Sequence, residues 1–529
     1  MAYDALLVGG GHNGLVCAFY LARAGLNVRI CEAHDEVGGA AVTEEIAPGF
    51  RNSLASYTVS LLRSEIVREM GLARRGLRIV PRPLANVLPL STRPGDFLAM
   101  GGGISRSEAE IAKFSVRDAA ALPRYLAALQ QVADVLRKLA LRIPPDGGGG
   151  LRAALDAALQ GRVLAGLDLA GRREALALFT RSAREYLDGW FESEPVKAVF
   201  GFDAVVGSYT SPEAPGSAYV LLHHVMGEVG GDKGAWGHAI GGMGAITQAM
   251  AAACRAVGVE IGLGERVAEV LVADGRACGV RLDTGRTLAA RRVIANVGPA
   301  LLYRKLLPRE AVPAEFAQAI DRYATGSGSL RINLALDRLP RFPCLPEGGD
   351  RLSAGIILAP SLAYMDRAYQ EARLHGWSRE PIVEMLIPST IDDSLAPPGK
   401  HVASVFCQQF APRLPAGRDW DDAEDEAVAA ALGIVERHAP GFSASILARR
   451  VLTPKGLERR FGMVDGDIFH GRMSLDQLWS ARPVLGAGSY RGPLAGLWMC
   501  GAGTHPGGGV SGAPGRNCAM AVLRAGKGG

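Results

Sequence analysis

ALLVGGGHNG, residues 5–14, is an apolar segment of strand length that runs directly into Gly9-x-Gly11-x-x-Gly14. In a strand–turn–helix unit the first glycine allows the tight turn, the second lets the backbone approach a pyrophosphate, and the third permits close helix packing. A helix that starts here directs unpaired N–H groups at the phosphates. A second apolar segment ends at Glu32, where a carboxylate can accept hydrogen bonds from a ribose diol and argues against a 2′-phosphate. The stretch therefore predicts a βαβ dinucleotide-binding unit.

A second glycine-rich segment stands near the other end of the chain. LWMCGAGTHPGGGVSGAPG, residues 497–515, again has the pattern of a strand that breaks into a turn and is followed by a helix. Backbone amides in such a turn can face the pyrimidine oxygens and ribityl chain of a flavin, and the helix dipole favours negative charge on the ring. The N-terminal pattern alone suits several cofactors. The C-terminal partner favours FAD, held by two sequence-distant segments.

The composition is that of an ordinary globular protein. A length of 529 residues favours two structural domains. The 58 basic and 53 acidic residues give a net charge of +5, too even for the basic stripe of a nucleic-acid-binding protein, so no nucleic-acid partner is expected. The eight cysteines form no C-x-x-C pair, which leaves a closely spaced redox disulfide and a zinc site unsupported, and no metal is expected.

The same features bear on location. The N-terminus has no basic segment ahead of its apolar run, so it is not expected to be a signal peptide. No run approaches eighteen apolar residues, and scattered thiols fit a reducing compartment. We expect a cytoplasmic protein that is able to associate peripherally with a membrane. The helical stretch Leu122–Leu169 offers a membrane-docking face, although a core-facing amphipathic helix is the commoner explanation. The sequence does not indicate an oligomeric state.

The order of patterns predicts an α/β fold. Helical periodicity replaces alternation from about residue 105 to 190, and the four glycines at 147–150 suggest an exposed hinge there. Val259–Val297 alternates again, with turn signals at Asp274-Gly275 and Asp283–Gly285, which predicts a meander inserted in the nucleotide-binding sheet. Ala423–Pro440 is the clearest later helix. The predicted FAD-binding domain comprises residues 1–95, 234–300 and 484–529; residues 96–233 and 301–483 form a substrate domain with a helical lid region.

Several motifs together resemble the phytoene desaturase-like flavoprotein superfamily over essentially the whole chain. Within it the chain is most similar to the group named pyridine nucleotide-disulfide oxidoreductase domain-containing protein 2, and beta-carotene ketolases are more distant relatives. The resemblance rests on six segments: Gly11–Gly25, Gly38–Phe50, Leu221–Gly231, Gly234–Ala245, Gly466–Trp479 and Gly501–Asn517.

The resemblance implies a Rossmann-like FAD-binding domain of the amine oxidase/phytoene desaturase type, interleaved with a mixed α+β substrate domain. It implies noncovalent FAD and two-electron oxidation or desaturation of an apolar or unactivated small molecule. By position, the ADP half is assigned to Gly9, Gly11, Asn13, Gly14, Glu32, Gly38, Gly39 and Ala40. The adenine-side strand is assigned to Val267, and the ribityl and ring segment to Gly501, Gly509 and Val510.

The disulfide reductase chemistry that the group's name suggests is rejected for this chain. A disulfide reductase needs a cysteine pair against the flavin and usually a second nucleotide fingerprint, and this chain has neither. The GG-Arg pattern of many amine oxidases is also absent, because Ala40 and Ala41 follow Gly39.

Flavin oxidations often need a base for the accompanying proton. His470 is the first candidate, because it lies just upstream of the C-terminal flavin segment, and His224 is the second; His223 and His505 stand in similar motifs. For each, a structurally hydrogen-bonded histidine is an equally good interpretation.

The leading hypothesis is an FAD-dependent oxidoreductase that passes electrons to oxygen or a quinone. A carotenoid ketolase or desaturase is one alternative, and it predicts a long apolar tunnel. A flavin-retaining regulatory or scaffold protein without turnover is another, and it predicts a cavity filled by side chains.

Overall fold

The computed structural model describes residues 2–145 and 150–526. Its first sheet is five-stranded and parallel, with strands numbered in chain order and arranged β11-β2-β1-β15-β21. The strands are β1 Ala5–Val8, β2 Val28–Cys31, β11 Glu260–Gly262, β15 Val293–Ala295 and β21 Leu497–Met499. β1 is buried on both faces, which explains its continuous apolar sequence. The helices α1 His12–Arg23, α10 Gly244–Ala256 and α16 Ala513–Gly526 pack together on this sheet.

The predicted unit β1–α1–β2 is present. α1 begins at His12, directly after Gly11, which has the extended backbone of an N-cap residue. The chain leaves this sheet after β2, returns to it at β11 and β15, and closes it with β21 near the C-terminus. The two glycine-rich segments therefore follow strands of one sheet.

A second, larger sheet is mixed and seven-stranded, in the order β20-β16-β19-β18-β17-β6-β7. Its pairs are antiparallel except for β6 with β17. The strands are β6 Asn86–Pro89, β7 Phe97–Met100, β16 Ser329–Leu336, β17 Gly355–Leu358, β18 Trp377–Leu386, β19 His401–Phe410 and β20 Ile446–Leu452. The helices α13 Leu362–His375 and α14 Trp420–His438 cover it.

Short strands make the connections. The predicted meander forms a three-stranded antiparallel sheet of its own, β12 Val267–Ala273, β13 Arg276–Leu282 and β14 Thr287–Ala289, with the first turn at Asp274-Gly275 as expected. The remaining pairs are β3 Thr43–Ala47 with β4 Phe50–Ser53, β5 Ile79–Pro81 with β10 Gly237–Ala239, and β8 Glu228–Val229 with β9 Asp232–Lys233.

The helical layer begins after β7. It comprises α3 Ile104–Ala112, α4 Val116–Ala140, α5 Gly150–Ala165, α6 Leu169–Thr180, α7 Ala183–Asp188, α8 Glu194–Val205 and α9 Tyr219–Val225. Shorter helices elsewhere are α2 Ser64–Glu69, α11 Pro299–Leu301, α12 Ala314–Asp321 and α15 Pro454–Phe461. Ser115 caps α4 by accepting a hydrogen bond from the Asp118 amide, and one face of α4 packs into the core through Tyr125 and Leu129.

Two expectations from the sequence concern the surface of this layer: an exposed glycine hinge and a membrane-docking face. Of the proposed glycine hinge, Gly147 to Gly149 lie outside the described residues. Leu155, Leu169 and Leu176 are exposed on α5 and α6, so the membrane-docking hypothesis stays a prediction. Within the described ranges, none of the helices combines the length and apolar character needed to cross a bilayer.

The division of the chain into an FAD-binding domain and a substrate domain stays a prediction. The strands of the parallel sheet come from the three segments assigned to the FAD-binding domain. β6, however, falls within the first of those segments and pairs in the seven-stranded sheet. The boundary at residue 95 remains a prediction, and β6 places the transition between the sheets before it.

Candidate active site

One cavity of about 530 Å³ lies between the two sheets, a volume typical of ligand sites. It begins at the carboxyl ends of β1, β2 and β15, where parallel α/β sheets bind their ligands, and extends to β18 and β19. The residues assigned from the sequence that border it are Gly9, Gly11, Asn13, Glu32, Gly39, Ala40, Val267, His470, Gly509 and Val510. Both glycine-rich segments thus open onto a single cavity.

The opening loop is packed too tightly for side chains. Gly9 has φ +98°, and a Cβ on Gly14 would lie 2.5 Å from the Gly9 carbonyl oxygen. The same Cβ would lie 2.8 Å from Asn296 Nδ2, which donates a hydrogen bond of 3.2 Å to that carbonyl. Gly14 does not border the cavity but lets α1 approach β1, so that the first-turn amides of α1 face the cavity.

The second glycine pair lies against the first. Gly38 forms a parallel bridge with Gly11, and its amide donates to the Gly10 carbonyl oxygen over 3.1 Å. A Cβ on Gly38 would lie 2.7 Å from the Ala41 carbonyl oxygen, and its φ of +148° also favours glycine. Gly38 therefore shapes the loop, while Gly39 and Ala40 border the cavity.

Glu32 is buried at the end of β2. Its Oε2 accepts a hydrogen bond of 2.6 Å from the Gly10 amide, and its Oε1 accepts one of 3.0 Å from the His34 amide. A carboxylate offers about four acceptor positions, so capacity remains for a ribose hydroxyl. The side chain fixes the glycine loop as well as bordering the cavity, a role the sequence did not reveal.

His12 connects the two ends of the chain. Its ring interacts with the backbone of Gly509, and it borders the cavity. Burial lowers the pKa of His12 to about 4, although the interaction with Gly509 opposes this shift. Gly501 lies deeper and does not border the cavity; a Cβ there would be 3.1 Å from the Asn296 carbonyl oxygen. His12 stands inside the GGGHNG motif, but nothing in that motif indicated its contact.

We use "cradle" for the part of the cavity bordered by the two glycine-rich segments and Glu32. His470 borders the cavity next to Phe469. It has φ +59°, and its Nδ1 has no hydrogen-bond partner among the described residues. Burial lowers its pKa to about 4, and the charges of Arg482 and His12 add to the effect. The imidazole is therefore neutral near pH 7 and a weak base in this environment.

Arg482, which the sequence did not single out, holds the segment that carries His470. The side chain is fully buried, and its guanidinium donates to the carbonyl oxygens of Phe469, Gly471, Arg472, Gln477 and Ala502 at 2.7–3.2 Å. Ala502 belongs to the C-terminal glycine-rich segment, so one cation orders both loops.

The other histidine candidates differ. His224 and His223 lie on α9, but their side chains are outside the described residues, so the proposed role of His224 stays a prediction. His505 is held by Leu139, whose carbonyl oxygen lies 3.1 Å from its Nε2, and its ring packs edge-on against Trp479. These contacts favour a structural role for His505.

The far part of the cavity is a chamber with an apolar wall and a small polar group. Phe202, Val206, Phe406 and Phe469 line the wall. Tyr57 donates a hydrogen bond of 2.5 Å from its hydroxyl to Glu384 Oε2. We use "chamber" for this part of the cavity, bordered also by Arg82, Asn86, Asp203 and Trp236.

The chamber contains ionisable side chains although they are buried. Burial raises the pKa of Glu384, although the hydrogen bond from Tyr57 opposes this shift. Burial also raises the pKa of Tyr57 well above its ordinary value. The buried Arg331 lies behind Tyr57, with its guanidinium carbon 4.3 Å from the centre of the Tyr57 ring. None of these residues was found from the sequence, because strands far apart in the chain bring them together.

Comparison with known proteins agrees with the geometry. Residues 14–432 match the family model described as flavin containing amine oxidoreductase. The chain is 41% identical to the rat pyridine nucleotide-disulfide oxidoreductase domain-containing protein 2, over 99% of this chain and 93% of that one. It is 26% identical to a lycopene-forming phytoene desaturase of Pseudescherichia vulneris, over 96% of each chain. Cyclohexylamine oxidase from Brevibacterium oxydans has the same fold, with a TM-score of 0.58 and 16% identity over both whole chains.

The chain therefore belongs to the flavin-containing amine oxidoreductase family. The predicted fold class and superfamily are confirmed, and the protein is an FAD-dependent oxidoreductase. The residues present fit the cofactor: side-chain-free loops that a Cβ would fill, the first turn of α1 and the carboxylate of Glu32 all converge on the cavity.

Proposed function

We propose that the protein catalyses the two-electron oxidation or desaturation of a small molecule with an apolar body, the electrons passing to oxygen or to a quinone. One observation supports this proposal most directly: the dinucleotide cradle and the apolar chamber are parts of a single cavity. FAD, when bound, supplies the two-electron acceptor. The ADP portion is assigned to the loops around Gly11 and Gly39 and to Glu32, as the sequence suggested.

The chain's own residues supply positioning and proton handling. The aromatic and aliphatic wall of the chamber excludes water from the reacting bond, which strengthens electrostatic interactions inside. His470 borders the cavity, and its Nδ1, which has no hydrogen-bond partner among the described residues, is placed to accept the proton that leaves with the electrons, although burial makes the imidazole a weak base. Arg482 keeps the His470 loop in place.

The cavity supports the two alternatives less well. A wholly hydrocarbon polyene would leave the buried Nε and Nη1 of Arg82 without a polar partner, which is costly. A scaffold protein without turnover has no need for an open chamber beside its cofactor. No structural observation favours either alternative over the proposed oxidation.

The test is anaerobic reduction of the purified flavoprotein. We expect a yellow protein that releases FAD on denaturation, and loss of the flavin absorption band when a substrate is added without oxygen. Readmission of oxygen, or addition of a soluble quinone, identifies the acceptor by the faster recovery of the band. A protein that binds no FAD would refute the proposal, and so would a flavin that no member of a broad panel of apolar small molecules reduces.

A further inference from the structure

Arg82 is the most unusual charged group of the chamber. It follows β5, borders the cavity, and has its guanidinium carbon 5.7 Å from the centre of the Trp236 ring. Its Nε and Nη1 are buried and have no hydrogen-bond partner among the described residues. Arginine remains charged inside proteins, and a buried charge is stable only when it is paired. The guanidinium thus has unused capacity for an anion.

Glu384 also borders the chamber and attracts the Arg82 guanidinium by charge, but its Oε2 accepts a hydrogen bond from the Tyr57 hydroxyl. Burial raises the pKa of Glu384, which favours its uncharged form. Arg331 adds a second positive charge directly behind Tyr57. Arg82 and Arg331 therefore place two guanidinium groups around the Tyr57–Glu384 pair.

The remainder of the chamber wall is apolar. Phe202, Phe406 and Phe469 can cover a hydrocarbon body, but their side chains offer an anion no hydrogen-bond donor. A ligand that satisfies both regions has an apolar body and a single anionic end.

We propose that the substrate of this enzyme carries a carboxylate, which the Arg82 guanidinium binds inside the chamber while the apolar body lies along the aromatic wall. This inference rests on the proposed oxidation and specifies its substrate class. Guanidinium–carboxylate hydrogen bonds are charge-assisted and are strongest where water is excluded, as in this chamber. Arg82 would fix the orientation of the substrate and so select which carbon lies next to His470.

The test compares three probes that differ in one group: hexanoate, hexanamide and hexylamine. Binding to the purified holoprotein is measured by calorimetry and by the perturbation of the flavin absorption band, and butanoate to decanoate extend the carboxylate series. We expect hexanoate to bind at least tenfold more tightly than hexanamide or hexylamine. Preference for hexylamine would overturn the proposal, because the acidic side chains of the chamber, rather than Arg82, would then bind the charged end of the ligand. Failure of the whole carboxylate series to bind would overturn it as well.

Variants then assign the preference to Arg82. Arg82→Met should weaken hexanoate binding 10- to 100-fold and leave hexanamide binding unchanged, with Arg82→Lys in between, because hydrogen bonds to a charged group contribute in this range. Arg341→Gln is the matched control, since Arg341 and its partner Glu347 are about 80% exposed. Equal losses for hexanoate and hexanamide in Arg82→Met would refute carboxylate recognition. If that variant does not fold, the wild-type comparison and Arg82→Lys still decide.

The FAD content, measured separately, keeps the two proposals apart. A protein that contains FAD but ignores carboxylates refutes the carboxylate proposal alone. A protein without FAD refutes the proposed oxidation, and calorimetry still reports whether the chamber binds hexanoate. Loss of FAD as the first effect of Arg82→Met would show that this residue serves the cofactor, which also contradicts the inference.

Discussion

At Gly14 a single added methyl group is enough to disturb the cofactor site. The Cβ of Gly14→Ala would lie 2.5 Å from the Gly9 carbonyl oxygen, so α1 has to move away from β1. We expect FAD affinity to fall at least tenfold, because the amides of the first turn of α1 move with the helix. Fluorescence titration of the apoprotein with FAD measures the change.

The control for this substitution is Gly433→Ala on α14. A Cβ at Gly433 meets nothing within 4 Å, and alanine favours a helix by roughly 0.5–1 kcal/mol over glycine. We expect unchanged FAD affinity and slightly higher stability. Wild-type affinity in Gly14→Ala would show that the loop does not hold the cofactor.

His470 makes the protein sensitive to acid. Its pKa is about 4 in the folded protein and 6.5 in an unfolded chain, because burial disfavours the imidazolium ion. Between these values only the unfolded state takes up the proton, so the free energy of unfolding decreases as the pH falls from 6.5 to 4. At about 1.4 kcal/mol for each pKa unit, the loss from this residue reaches up to about 3 kcal/mol.

His470→Asn removes that titration and tolerates the positive φ. Urea unfolding at pH 7.5 and pH 4.5 should show a smaller acid-induced loss for the variant than for the wild type. His375→Asn, at an exposed position of α13, controls for the substitution itself. An identical loss in wild type and His470→Asn would contradict the buried, neutral state of His470.

At the scale of elements, the loop Asp467–Arg482 depends on one side chain. Lysine has a single ammonium group and cannot reach the five carbonyl oxygens that Arg482 satisfies. Arg482→Lys should lower the free energy of unfolding by about 3 kcal/mol, in the range for a broken buried charged network, and should also reduce bound FAD. Urea unfolding and the ratio of FAD to protein after dialysis measure the two effects.

Arg491→Lys is the control, because Arg491 is exposed and contacts the ring of Trp498 at the start of the same C-terminal region. We expect little change in either quantity. Loss of stability without loss of FAD in Arg482→Lys would mean that the loop and the cofactor cradle are independent.

The elements also separate what the sequence predicts from what it does not. β1, α1 and β2 follow from local patterns, since the tightest contact of the loop, between Gly14 and the Gly9 carbonyl oxygen, lies within the unit itself. The chamber does not follow, because Tyr57 meets Glu384, 327 residues later in the chain, and Arg331 only through long-range contacts. No local sequence pattern identifies Arg82. It stands out only because its Nε and Nη1 have no hydrogen-bond partner among the described residues.

For the whole molecule, the decisive feature is that chain ends meet at one ligand site. β1 and β21 lie in the same sheet on either side of β15, and α1 packs against α16. A ligand that contacts both glycine-rich segments therefore links the beginning and the end of the chain. FAD binding should accordingly be coupled to the stability of the entire parallel sheet rather than to that of one loop.

This coupling predicts the effect of removing FAD. The apoprotein should unfold at lower temperature and urea concentration than the holoprotein, and FAD at 100 times its dissociation constant should restore about 2.7 kcal/mol, as expected for a ligand that binds only the folded state. ADP, which reaches only the cradle around Gly11 and Glu32, should leave the segment 501–512 more open to proteolysis than FAD does. The measurements are thermal and urea unfolding with each ligand, followed by mapping of the protease cleavage sites. Equal protection by ADP and FAD would contradict a cofactor that spans both ends of the chain, because the interaction between His12 and Gly509 would then suffice to close the site.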